Sequence, residues 1–61
     1  MSPQLVAILA AIFAEQARVM AMTAENAARL DAGQALAYPS AAFYAAADQL
    51  DNLSIQARNS Q

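Results

Sequence analysis

Cysteine, histidine, lysine and tryptophan are all missing from this chain of 61 residues, and glycine occurs once. Each absence removes a class of function. Without cysteine there is no disulfide framework, and without cysteine or histidine there is no ordinary zinc site. Catalysis needs a nucleophile, a base or a metal held by rigid surroundings. The usual carriers are lacking here, and the serines at positions 2, 40, 54 and 60 have capping or solvation roles. The single glycine, Gly33, rules out a glycine-rich phosphate loop. We therefore expect no enzyme, no cofactor and no metal. Three arginines and no lysine against five acids, a net charge of −2, offer no basic surface to displace counterions from phosphates. Nucleic acid and anionic membranes are both poor partners for such a surface.

What remains is apolar and rich in alanine, with 59% hydrophobic residues. The organising stretch runs from Leu5 to Leu30. Placed at about 100° per residue around a helix, Leu5, Val6, Ile8, Leu9, Ile12, Phe13, Val19, Met20 and Leu30 fall on one broad face. The opposite stripe holds Gln4, Glu15, Arg18, Glu25 and Arg29, with ion pairs expected between Glu15 and Arg18 and between Glu25 and Arg29. Met22 falls among these charges and reads as an exposed methionine. Gln16, Thr23 and Asn26 interrupt the second half of the apolar face. A buried polar group there needs a partner, and at a helix interface it can set register.

Start and stop signals divide the chain into two helices. Ser2 before Pro3 caps the first, and Gly33 ends it, because glycine adopts left-handed backbone angles without strain. Tyr38 precedes Pro39 and is pushed away from helical angles. Pro39 and Ser40 open the second helix, with either Pro39 at the first helical position or Ser40 as the cap. The expected layout is one domain: helix 3–32, loop 33–38, helix 39–58 and a frayed tail 59–61. In the second helix Phe43, Ala46, Ala47, Leu50, Leu53 and Ala57 form a narrower seam for packing against the first.

This is an all-α, two-helix antiparallel hairpin. So small a domain buries a limited share of its surface, and without disulfides or metal the missing core is expected from self-association. We expect a homodimer forming a four-helix bundle, with Leu5, Leu9, Ile12, Phe13, Gln16, Val19 and Met20 at the oligomer interface. On the outer face of the second helix, Tyr44, Asp48, Asp51 and Ile55 mix an aromatic, two carboxylates and a branched aliphatic group, a composition that suits a protein partner. An alternative is sequestration of a small anion or nucleotide by Arg29, Tyr38 and Ser40. The apolar run Leu5 to Ala14 is ten residues long, short of the ~20 that span a bilayer. It has no Lys or Arg before it, as a secretory signal would. No membrane partner is expected, and the cytoplasm is the expected compartment.

Two resemblances add to this reading. In length, hairpin layout and the phrases Leu30-Asp31-Ala32 and Ala47-Asp48-Gln49-Leu50, the chain resembles the plasmid Rop type of dimeric four-helix bundle. That resemblance implies the bundle, and RNA binding only if lysines were present. Ala37-Tyr38 followed by Phe43, Ala47 and Leu50 resembles small helical accessory proteins of phages and prophages. This implies a non-enzymatic adaptor or inhibitor that binds and blocks a host component.

Overall fold

The computed structural model describes residues 1–60. The expected fraying of Gln61 lies outside the described residues. The architecture is two helices, α1 (Pro3–Asp31) and α2 (Ser40–Asn59), with no strand among the described residues. Ser2 is extended and its hydroxyl accepts from the amide of Leu5 at 3.1 Å, while its carbonyl accepts from Val6 at 3.0 Å. A capped amide and a proline that had no helical bond to lose fix the start of α1.

The far end of α1 closes through two reversed hydrogen bonds. Gln34 donates to the carbonyl of Arg29 at 2.8 Å, and Gly33 donates to that of Leu30 at 3.1 Å. Gly33 sits at φ +71°, as this paired closure requires of the residue after the cap. Arg29 lies in the last turn, where a cation suits the partial negative charge of the helix end.

At α2 neither expected start is what forms. Pro39 is the cap itself, extended at φ −74° and ψ 168°, and Ser40 is already helical. Proline has no side-chain acceptor, so the helix start gains no side-chain hydrogen bond; the carbonyl of Pro39 takes the amide of Ala42 instead. The tail also departs from expectation. Asn59 continues the helix, and the Ser60 hydroxyl donates back to the carbonyl of Gln56 at 2.7 Å.

The helices pack along one seam. The covered stripe of α1 is Leu5, Ile8, Ile12, Glu15, Val19, Met22, Asn26 and Arg29, with Leu9 and Ala11 half-buried beside it; that of α2 is Phe43, Ala46, Leu50, Leu53 and Ala57, continued by Ser60 at the cap, with Ala42 half-buried beside it. Both sets alternate steps of three and four, the spacing that keeps one stripe of each helix against its neighbour. Leu50 lies beside Gln16, Val19 and Met20, and Tyr38 beside Asn26, so the helices run antiparallel. Among the described residues only Ile8, Ala46 and Leu53 are buried, each still 6–7% exposed.

The result is a single layer of two helices, 47 × 17 × 9 Å, with both broad faces uncovered. Its surface is 4436 Å². A compact chain of this mass would expose about 3,800 Å². The surplus, about 650 Å², approaches the roughly 800 Å² that one partner contributes to an ordinary protein interface.

Candidate functional site: the uncovered faces of the hairpin

The broad apolar face expected on α1 is divided by α2. Leu5, Ile12 and Val19 are half-buried in the hairpin seam, as is Leu9 at its edge. Val6, Phe13, Met20 and Leu30 are left 52%, 68%, 72% and 69% exposed. Together with Leu9, Gln16, Thr23 and Ala27 they follow the covered positions by one residue. That offset makes a second seam, 6, 9, 13, 16, 20, 23, 27 and 30, turned about 100° from the first.

A shallow groove continues this seam toward α2, lined by Gln16, Val19, Met20 and Leu50. Of the seven residues expected at an oligomer interface, Phe13, Gln16 and Met20 lie exposed on the second seam, Leu9 lies half-buried on it, and Leu5, Ile12 and Val19 are half-buried within the hairpin. Val6 and Leu30 share that uncovered seam. Both already lay on the apolar face, and the one-residue offset from 5, 12, 19 and 26 is the signal that separates them.

Met22 and Glu15 also sit differently from the expected charged stripe. Met22 is half-buried in the hairpin seam, and the Glu15 side chain is only 14% exposed. Glu15 remains paired, accepting from Nε of Arg18 at 2.8 Å. The physical reason is rotation: α2 docks on one flank of the apolar face, which brings the near edge of the charged stripe under cover.

The three polar residues in the apolar face separate by role. Thr23 satisfies itself on the carbonyl of Val19 at 2.9 Å, and Gln16 stays exposed. Asn26 forms a two-way clasp with the connector: its amide nitrogen donates to the carbonyl of Tyr38 at 2.9 Å, and its oxygen accepts from the amide of Tyr38 at 3.0 Å. One side chain thus replaces a missing strand partner. It pins the residue before Pro39, and with it the point from which α2 departs.

On α2, Tyr44, Asp48, Asp51 and Ile55 all stand exposed, Tyr44 at 72% and Ile55 at 47%. They share one stripe on the side of α2 turned away from the seam, leaning toward the uncovered flank of α1. No described group of three metal-ligating residues accompanies the two carboxylates.

The opposite flank of the hairpin holds an open cleft of about 490 Å³ lined by Arg18, Ala21, Met22, Glu25, Arg29, Ala37 and Tyr38. It brings together two of the three residues expected for an anion site, Arg29 and Tyr38, but Ser40 is not in its lining. Both guanidinium groups are occupied: Arg18 by Glu15, and Arg29 by Glu25 at 2.9 Å. The cleft is thus lined by ion pairs, with little net positive charge to hold an anion.

An 18-residue window of α1 has mean hydropathy 1.7 and is 6% buried, which meets a membrane-crossing helix in length and composition alone, as the core helix of a soluble protein or a signal sequence also does. The shorter run ended at Ala14 because Glu15 and Arg18 break it. Alanines on both sides keep the average high despite them. Comparison with protein-family models, with curated proteins and with solved structures finds no match to this chain.

Proposed function

We propose that the chain is a small non-enzymatic protein-binding module that self-associates through the uncovered seam of α1, giving a four-helix bundle, and acts as an adaptor or inhibitor. One observation carries the reading. Val6, Phe13, Met20 and Leu30 form an exposed apolar stripe along the whole of a 29-residue helix. Exposed apolar patches of this extent mark interaction surfaces. The surplus area of the single layer is of the size one interface removes. With α1 seams paired, Asp48 and Ile55 stay on the outside of the bundle for a second, heterologous partner, while Tyr44 and Asp51 lie on the flank of α2 beside the α1 seam. The phage-accessory resemblance is consistent with such a binding and blocking role, in the cytoplasm.

The membrane reading has its own observation, the hydropathy of α1. It places the Glu15–Arg18 pair and Gln16 in mid-helix, where polar groups in hydrocarbon cost several kcal/mol (about 2.5–3.5 for a central charge). A protein surface satisfies these groups at less cost.

Analytical ultracentrifugation of the purified chain, with and without phosphatidylcholine vesicles, tests the proposal. A dimer that ignores vesicles supports it. A monomer at micromolar concentration, or quantitative partition into vesicles, overturns it.

A further inference from the structure

The uncovered seam of α1 is graded in size along its length. Its first three positions are Val6, Leu9 and Phe13, its middle is Gln16 and Met20, and Thr23 and Ala27 follow before Leu30 closes it. The gradient constrains how two copies of this chain can meet. Helix axes approach to about 8–10 Å according to the side chains between them. Side by side in the same direction, Phe13 would face Phe13 and Ala27 would face Ala27, so the helices would be forced apart at one end and left unpacked at the other. Running in opposite directions about a two-fold axis at the seam's midpoint, near Arg18, the bulky pair Leu9 and Phe13 meets small residues, and Gln16 faces Met20 beside the axis. Phe13 then faces Thr23 of the second copy, Leu9 faces Ala27, and Val6 faces Leu30. Large against small at facing positions keeps the spacing constant and the layer filled.

The same side of α2 presents Tyr44, Ala47, Asp51, Ser54 and Arg58, since in an antiparallel pair of right-handed helices the residue after each seam position lies on the same flank. Three of these five are polar or charged and exposed. They make a poor lid for Phe13 and Met20. The apolar seam of α1 is therefore matched by its own copy and not by α2 of a neighbour. The geometry points to an antiparallel α1–α1 contact between two copies of this chain as the interface, with the two-fold axis crossing near Arg18. This inference rests on the self-association proposed above and adds its direction.

The chain has no cysteine, so a single introduced thiol carries a spin label without competition. Ala7 and Ala28 are exposed and lie off both seams. For Ala7→Cys carrying a nitroxide, the rise of 1.5 Å per residue over eleven residues on each side of the axis gives a separation of about 33 Å. Ala28→Cys gives about 30 Å on the same basis. Labelled Ala7→Cys mixed with labelled Ala28→Cys adds a short distance, under about 20 Å, from opposed ends of the two copies. A parallel pair reverses the pattern, with short distances within each labelled variant and long ones in the mixture. Measured by double electron–electron resonance beside sedimentation on the same samples, the outcomes separate. A dimer with long homotypic distances supports the inference. A dimer with short ones overturns the direction and leaves self-association standing. A monomer overturns both.

Discussion

The two helices of this hairpin differ in how many neighbours they are built to have. α2 is a one-sided helix, with the seam Phe43, Ala46, Leu50, Leu53 and Ala57 against α1 and mostly polar or small residues elsewhere. α1 is two-sided: one seam is used inside the hairpin, and a second, displaced by a single residue, is left in the open. The comparison explains why a layer only 9 Å thick carries so much exposed apolar surface. Within the hairpin, α2 turns its main apolar seam inward, whereas α1 keeps Val6, Phe13, Met20 and Leu30 exposed.

The sharpest way to break the comparison is to damage one seam at a time. Leu53 is 7% exposed at the centre of the used seam, so Leu53→Ala should cost about 2–4 kcal/mol. For a chain this small that is most of its stability, and circular dichroism should show the cooperative thermal transition lost. Phe13 is 68% exposed, and if the proposed dimer forms, Phe13→Glu should leave a helical species while raising its dissociation constant at least tenfold by sedimentation. Equal loss of helix in both variants would mean that the two seams are one core, and the distinction drawn here would fail.

Smaller changes test what orients α2. Asn26→Ala removes both hydrogen bonds to Tyr38 and should lower stability by about 1–2 kcal/mol, read as a depressed melting midpoint. Asn26→Asp keeps the acceptor and loses the donor, and should fall between the two. Gly33→Ala meets no atom within 4 Å, so only its φ of +71° opposes it; a loss of about 1 kcal/mol is expected. Least of all, Tyr44→Ala and Asp48→Arg should change stability by under about 0.5 kcal/mol, since both side chains stand free. An effect above 1 kcal/mol from either would place the outer stripe of α2 inside an interface of the folded assembly.

Much of this was legible from residues alone because it is local. Ser2-Pro3, Gly33 and Tyr38-Pro39 act through the backbone angles and hydrogen bonds of their own few neighbours, and the helix ends fall within a residue of where those signals put them. The Glu15–Arg18 and Glu25–Arg29 pairs follow from spacing on one helix. The role of Asn26 was not legible, since its partner Tyr38 is twelve residues away and becomes near only when the chain turns back. Nor was the position of Met22. Charged neighbours on the helical wheel made it look wet, whereas its steps of three and four from Val19 and Asn26 put it under α2.

Residue order alone is enough for two helices with a break at Gly33 to Pro39, for the absence of any cysteine or histidine, and for an α1 with more apolar surface than one helix can cover. Only the tertiary structure decided how that surface is shared. A helical wheel defines a face but not the rotation of the helix about its axis toward its neighbour. That rotation is set by the partner seam, by the small residue Ala46 that lets the helices approach, and by the clasp between Asn26 and Tyr38. Turned as it is, α1 keeps Ile8, Ile12, Val19 and Met22 for the hairpin and leaves Val6, Phe13, Met20 and Leu30 exposed.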